Sequence, residues 1–426
     1  MKSNFLIAAP MSGSGKTTIS RGLMALLARR GMRVQPFKCG PDYIDTKFHE
    51  AVCGCPSINL DSFMASQAHV RALFARYGSM ADVCVVEGMM GLFDGYSRDL
   101  GSSADIARAL GVPVVLVVDA RSAAYSMAAL LSGFVGFRPD VRICGVIFNK
   151  VGSERHYGML TQVCDDLNIE CFGYLPKNAA LEQGSRYLGL DFSSASDMDS
   201  LVAEIEAHID VDRILSVCRA SDSSAPALPE TTDDLRVLVA RNDEAFSFMY
   251  HENIAKFKHA AFFNPETETP DFDGVDLLYL PGGYPEKHVE ALAAATEART
   301  AIRDYALRGG HVIAECGGMM FLCRQIITDE GSWPMCGVLP YTITARKADR
   351  KLSLGYRQFE LYGHSFRGHE FHYTQFDGDS PTSVVQVYNA KGERVATPIM
   401  RYKNVVASYT HLYWGETGVR PLFESL

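Results

Sequence analysis

Two doubly wound α/β domains, each on a mainly parallel sheet, are the architecture this sequence predicts, and three observations carry that prediction. Short apolar runs alternate with longer helical patterns through the first half of the chain, as in repeated strand–helix–strand units with right-handed crossovers. Residues 219–234 then break the pattern: they are polar, carry two prolines and have no period, which reads as a linker. After the linker the alternation restarts. A length of 426 residues admits two or three domains at ~150 residues each, and the linker settles on two, 1–218 and 235–426.

In chain order, strands are expected at 4–9, 33–37, 81–87, 112–118 and 142–148, because each run is apolar enough to be covered on both faces. Between them, helical periodicity points to helices at 16–30, 62–77, 101–110, 121–133 and 154–167. Beyond the linker, strands are expected at Leu235–Ala240, Ala260–Phe263, Leu277–Leu280 and His311–Ala314, with a helix over 286–308. Residues 336–426 are richer in short strands and turns, and no repeat of 20–50 residues suggests a solenoid.

Composition excludes several functions. A hydrophobic fraction of 47% and a charged fraction of 21% exclude disorder. The net charge of −9, from 41 Lys+Arg and 50 Asp+Glu, offers no global attraction for nucleic acid or an anionic membrane. An acidic ligand has to be held locally. No run approaches the ~18 apolar residues that span a bilayer, and Phe5–Met11 reads as a buried strand rather than a signal core. Eleven cysteines, an odd number without CxxC pairs, fit a reducing cytoplasm better than a disulfide framework or zinc site.

Pro10-Met-Ser-Gly13-Ser14-Gly15-Lys16-Thr17-Thr18 follows an apolar strand and opens an amphipathic helix. Gly13, Ser14, Gly15 and Thr18 form a loop whose N–H groups can wrap phosphates, Lys16 can reach the outer phosphates, and Thr17 offers a hydroxyl to Mg²⁺. Pro10 stands where the full motif has its first glycine. Glu87, at the tip of the strand ending Val85-Val-Glu87-Gly88, is placed to hold Mg²⁺. Lys38-Cys-Gly-Pro41-Asp42-Tyr43-Ile-Asp45 puts two carboxylates and an aromatic in one loop: Asp42 is expected at the metal, Tyr43 and Asp45 at substrate. Asn149 could present its amide to adenine or cap a turn.

In the second half, Gly309-Gly-His-Val-Ile-Ala-Glu315-Cys316-Gly317-Gly318 reads as strand, sharp turn and helix, the setting that lifts a nucleophile above a sheet. The N–H of Gly317, with that of Gly283 in Leu280-Pro-Gly-Gly283-Tyr-Pro-Glu286, is suited to hold an oxyanion. The base is open between His411 and the pair His369 and His372. A metal site at His369 and His372 is disfavoured, since strand alternation puts the two on opposite faces. Arg346, Lys347, Arg350, Lys351 and Arg357 form the one basic run suited to a carboxylate-rich substrate.

A phosphate loop and a thiol elbow in one chain suggest that one domain activates a carboxylate while the other makes ammonia. Over essentially its whole length the chain resembles the cobyrinate or hydrogenobyrinate a,c-diamide synthases, the glutamine-dependent ligases of corrin biosynthesis. The resemblance rests on Ser12-Gly-Ser-Gly-Lys-Thr-Thr18, Gly40-Pro-Asp-Tyr-Ile-Asp45, Val86-Glu-Gly88, Gly91-Leu-Phe-Asp-Gly95, Leu280-Pro-Gly-Gly-Tyr-Pro-Glu286, Glu315-Cys-Gly-Gly318, Gly355-Tyr-Arg357, Gly368-His-Glu-Phe-His-Tyr373 and Thr410-His411. It implies a dethiobiotin synthetase-like ATP domain and a class I-type glutamine amidotransferase domain. It also implies ATP, L-glutamine and a corrinoid acid as substrates, Mg²⁺ with the ATP, and Cys316 with His411 as the catalytic pair. Position 413, where many such amidotransferases complete a triad with Glu, is Tyr here. A homodimer stays open as the assembly. Sister tetrapyrrole amidases, namely cobyric acid synthase or a nickel-sirohydrochlorin a,c-diamide synthase, are the nearest alternatives. A ParA/MinD-like ATPase switch is the alternative from another class.

Overall fold

A computed structural model describes residues 2–177, 198–220 and 232–423. The chain divides into two compact units, one of Met1–Ser62 with Ser66–Leu228 and one of Pro229–Leu426 with Phe63–Ala65.

The first unit is built on seven parallel strands: β1 (Ser3–Ala8), β2 (Val34–Cys39), β3 (Ile58–Leu60), β4 (Val83–Glu87), β5 (Val114–Asp119), β6 (Ile143–Val151) and β7 (Glu170–Pro176). Their order is β3-β2-β4-β1-β5-β6-β7. The helices are α1 (Lys16–Arg29), α2 (Asp45–Cys53), α3 (Gln67–Gly78), α4 (Ser103–Leu110), α5 (Met127–Phe137), α6 (Glu154–Leu167), α7 (Met198–His208) and α8 (Val211–Val217). Phe5, Ile7, Val83, Val85, Val115 and Val117 pack into one core with Ile19, Leu23 and Leu26 of α1. Parallel pairing sets Ile7 opposite Glu87, and Glu87 opposite Lys38. The loop leaving β1 therefore emerges beside the carboxylate that ends β4, at the crevice where open α/β sheets bind ligands.

The second unit has a central sheet of β8 (Asp233–Ala240), β9 (Phe257–Phe263), β10 (Leu277–Leu280), β11 (His311–Glu315) and the strands Met400–Tyr402 and Val405–Ser408. In space the order is 400–402, 405–408, β11, β10, β8, β9, and only 400–402 runs antiparallel. Helices α9 (His251–Ala255), α10 (Val289–Ala294), α11 (Thr296–Leu307) and α12 (Gly317–Leu322) accompany it. A four-stranded and a five-stranded sheet, the latter with strands Ser353–Leu361, His364–His372 and His411–Leu412, account for the strand-rich end of the chain.

The doubly wound α/β class holds for both units, with corrections in detail. α2, β3, β7, α7 and α8 were not expected. The helix expected over 286–308 is three pieces: a 3₁₀ turn at Pro285–Lys287, then α10 and α11. Its break near Ala295 is stabilised by Arg299, whose guanidinium donates to the Ala293 carbonyl at 2.7 Å and the Met335 carbonyl at 3.2 Å. The starts of α3 and α4 fall later than expected because Ser66 and Ser102 cap them by accepting the N–H of His69 and Asp105. Most of the expected linker, 221–231, lies outside the described residues. At its edges, Arg219 bridges to Ser3 and Asp233 already belongs to β8. No helix among the described residues is long and apolar enough to cross a membrane.

Candidate active site

In the first unit, Gly13 and Gly15 take positive φ of 80° and 95°, the conformation that bends the chain back over the end of β1 and that glycine adopts without strain. Gly15 also tolerates no side chain, because a Cβ there would lie 2.0 Å from Nδ2 of Asn149. Asn149 thus props the loop: its amide donates to the Ser14 carbonyl at 2.9 Å and its Oδ1 accepts the Lys150 N–H at 2.9 Å. Ser14 donates to the Met11 carbonyl at 2.9 Å. Lys16, Thr17 and Thr18 form the first turn of α1, where orphan N–H groups and the helix dipole favour an anion. Lys16 is buried, and burial with the neighbouring Lys38 lowers its pKa to about 8. Its Nζ donates to the Met90 carbonyl at 2.5 Å.

Thr17 Oγ1 donates to Glu87 Oε1 at 2.7 Å, which joins the two residues expected at Mg²⁺. Around them is a buried network the sequence did not announce. Lys38 Nζ donates to Glu87 Oε1 at 2.9 Å and to Asp45 Oδ2 at 2.7 Å. His49, one turn along α2 from Asp45, sets Nε2 2.8 Å from Glu87 Oε2 and Nδ1 3.0 Å from Ser57 Oγ. Burial opposes charge on Glu87, yet Lys38 and His49 hold its pKa below the usual carboxylate range. Burial likewise works against Lys38, and Asp45, Glu87 and Asp42 outweigh it to raise its pKa.

The two carboxylates of the Asp42–Asp45 loop have different partners. Asp42 Oδ1 accepts the N–H groups of Ile44 at 2.8 Å and Asp45 at 2.9 Å, the local turn that an Asp side chain makes with the backbone just ahead of it. Asp45, expected at substrate, is buried against Lys38, and Tyr43 is buried as well. Among the described residues no cluster of three or more His, Cys, Asp and Glu is arranged to hold a metal. A hydroxyl and a carboxylate 2.7 Å apart beside a phosphate loop nevertheless fit Mg²⁺, which takes few protein oxygens and completes its shell with water and phosphate.

In the second unit, Cys316 has φ 46° and ψ −109°, a strained turn between β11 and α12. Its N–H donates to the Ser408 carbonyl at 2.7 Å, so nucleophile and histidine strand leave adjacent strands of the sheet. The glycine turn lies on this elbow: a Cβ on Gly317 would meet the Gly283 carbonyl oxygen at 2.8 Å and N at 3.0 Å. A Cβ on Gly282 would lie 2.1 Å from Cε1 of His411. The fold thus gathers Cys316, Gly317, Gly283 and His411, which were read from segments up to 128 residues apart, given that the numbering runs from 283 to 411.

The histidines separate by what they touch. His372 is engaged at both nitrogens, by Thr374 O and Glu370 Oε1 at 2.8 Å each, and stacks on Tyr409 at 3.6 Å. His369 pairs across the ladder with His411, and burial with Arg357 lowers its pKa to about 4. His411 alone lies on the glycine turn. Burial, reinforced by His369 and His372, lowers its pKa to about 3. Burial, with Glu286, pushes the Cys316 thiol up. The pair therefore rests as thiol and neutral imidazole. Sequence reasoning missed Glu315, which is buried and ties the elbow to the histidine strand: Oε1 accepts the Leu412 N–H at 2.8 Å and Oε2 the Tyr279 hydroxyl at 2.7 Å. Burial raises its pKa to about 8.

Arg357, expected at substrate, has partners within its own sheet. It is buried, with Nε donating to Glu370 Oε2 at 2.8 Å and Nη1 to the Tyr356 carbonyl at 2.9 Å. The strand's alternation turns it inward, whereas Arg346, Lys347, Arg350 and Lys351, which precede that strand, are exposed.

Residues 5–190 match the CobQ/CobB/MinD/ParA nucleotide binding domain family, and residues 233–419 match the CobB/CobQ-like glutamine amidotransferase domain family. The chain is 40% identical to the hydrogenobyrinate a,c-diamide synthase of Brucella suis over 428 aligned positions, covering 96% of this chain and 98% of that one. It is 38% identical to the cobyrinate a,c-diamide synthase of Caldanaerobacter subterraneus, covering 98% and 96%, and 37% identical to that of Listeria monocytogenes, covering 96% of both. Among solved structures, the cell division protein FtsY of Thermotoga maritima overlays 42% of this chain and 63% of its own at a TM-score of 0.33 and 17% identity, too distant to inform function. With a phosphate-loop unit and a thiol-elbow unit in the order these relatives share, the chain belongs to the cobyrinate and hydrogenobyrinate a,c-diamide synthase family.

Proposed function

We propose that this protein amidates the a- and c-side-chain carboxylates of a cobyrinate-type corrin ring, using ATP to activate each carboxylate and glutamine as the nitrogen donor. The observation that carries the reading is one chain holding two constellations: Thr17 hydrogen-bonded to Glu87 behind a phosphate loop, and the Cys316 elbow under the Gly282–Gly283 turn. A ParA/MinD-like switch would leave the second without a task.

In the first unit, the loop N–H groups from Gly13 to Thr18 and the Lys16 ammonium hold the ATP phosphates, and Lys16 follows the γ-phosphoryl group as a substrate carboxylate takes it. Thr17 and Glu87, with Asp42 or Asp45 beside them, would hold Mg²⁺. The ion, when bound, neutralises phosphate charge. Lys38 and His49 keep the Glu87 oxygens aimed and ionised. The product of this half-reaction is an acyl phosphate.

In the second unit, His411 takes the Cys316 proton as the sulfur attacks the glutamine carboxamide carbon. The Gly283 and Gly317 N–H groups receive the oxyanion. His411 returns the proton to the leaving nitrogen, ammonia departs, and water cleaves the thioester to glutamate. Ammonia then displaces phosphate from the acyl phosphate. A second round at the other side chain gives the diamide. In the first unit, Tyr43 is proposed to orient the corrinoid acid. We place the enzyme in the cytoplasm, where its eleven free thiols stay reduced.

Lys16→Ala tests the ATP half. Amidation should fall at least about 100-fold with either glutamine or ammonia as donor, because a preorganised cation on the transferring phosphoryl group is lost. Product formation at the wild-type rate would remove the phosphate loop from the mechanism.

A further inference from the structure

The turn that carries Gly283 continues into a side chain the mechanism above leaves idle. Pro285–Lys287 is a single 3₁₀ turn, and Pro285 lies against the elbow, its Cδ 2.7 Å from where a Cβ on Gly317 would stand. Lys287 and His288 are both held from the other side. Lys287 pairs with Glu244, while His288 sets Nε2 3.2 Å from Glu244 Oε2 and Nδ1 3.0 Å from Glu266 Oε1. Glu286, just ahead of them in the turn, is only partly exposed and makes no side-chain hydrogen bond or ion pair with another side chain among the described residues. It follows directly on the Gly283–Pro285 stretch that packs against Gly317 of the elbow, and its charge acts on Cys316, Tyr284 and Tyr409, so the carboxylate belongs to the neighbourhood of the nucleophile. Lys287 and Arg350 are the cations that act on it, both from beyond ion-pair distance, and Glu244 adds a like charge.

We propose that Glu286 is the specificity residue of the amide-donor site, its carboxylate receiving the α-ammonium group of glutamine. This rests on the reading of Cys316 as the glutaminase nucleophile. An amide donor in reaction with Cys316 has its carboxamide carbon at the sulfur, and in glutamine the α-nitrogen is four bonds from that carbon, within about 5 Å. A half-buried carboxylate in the turn that packs on the elbow, with no ion-pair partner among the described residues, is suited to meet that nitrogen. Burial raises the Glu286 pKa to about 7, and a bound ammonium would restore its charge while cancelling its effect on the thiol. The need for such a reader follows from the reaction. The proposed product carries primary carboxamides on acid side chains of a ring, and these lack the α-ammonium that glutamine carries. A site that left its carboxylate unpaired with an uncharged amide would discriminate strongly, as polar recognition sites do.

The test compares glutaminase kinetics on L-glutamine and on glutaramate, which is glutamine without its α-amino group. Glu286→Gln should raise the KM for L-glutamine about 10- to 100-fold, with a smaller change in kcat, and should collapse the preference for L-glutamine over glutaramate. An unchanged KM and preference would overturn the proposal. A second measurement needs no variant: L-glutamine should protect wild-type Cys316 from alkylation by iodoacetamide, and equal protection by glutaramate would also overturn it. Failure of the underlying reading looks different, since wild-type protein would then hydrolyse no glutamine at all.

Discussion

Cys316→Ser should lower glutamine-dependent amidation about 10³-fold or more while amidation from ammonia and ATP continues. The size follows from the setting. Among the eleven cysteines, Cys316 is the one at positive φ, lodged between a strand end and a short helix, with glycine N–H groups on either side. A serine fits the same turn, so the fold is not at stake. Its hydroxyl is a far weaker nucleophile, and burial lowers the pKa of His411, the base beside it, to about 3. The measurement is the initial rate of product with each donor. Retained glutamine use would remove Cys316 from the mechanism, and loss with both donors would show the substitution to be structural.

Lys38→Met should destabilise the first unit by about 3–5 kcal/mol in the absence of nucleotide, the usual cost of removing one partner from a buried charge cluster. Lys38 donates to Asp45 and Glu87, and all three are nearly inaccessible to water. Methionine fills the volume and leaves the two carboxylates facing each other. Both tryptophans, Trp333 and Trp414, lie in the second unit, so their fluorescence does not report the first. The far-ultraviolet circular dichroism transition in urea should move to lower denaturant while the fluorescence transition keeps its midpoint. A dichroism transition identical to the wild type would show that the network carries no stability.

What was legible in the sequence was what is written locally. The β1 strand, the phosphate loop and α1 could be read together because Phe5–Ala9, Gly13, Gly15 and the Lys16–Thr17 pair follow one another without interruption. The elbow at Cys316 was legible for the same reason. What stayed hidden depends on register and on facing. Nothing near His49 marks it as a partner of Glu87, 38 positions away, until α2 turns it toward the end of β4. Asp42 and Asp45 sit three residues apart in one loop, and only the fold decides that Asp42 closes the turn before α2 while Asp45 meets Lys38. Arg357 was grouped with Arg346–Lys351 by proximity, although strand alternation turns it inward to Glu370. β3 escaped notice because three residues, Ile58-Asn-Leu60, are too short to show a period, and β7 because Gly173 interrupts its apolar run.

The central claim is that one chain couples a phosphate-loop unit to a thiol-elbow unit to make two amides on one corrinoid acid. Mass spectrometry of the product formed from ATP, glutamine labelled with ¹⁵N at the amide, and cobyrinate or hydrogenobyrinate tests it most directly. The account predicts two successive exchanges of a carboxylate oxygen for a labelled nitrogen, with one ATP consumed for each. A corrinoid returned unchanged while ATP and glutamine are hydrolysed, or nitrogen incorporated without ATP consumption, would contradict it.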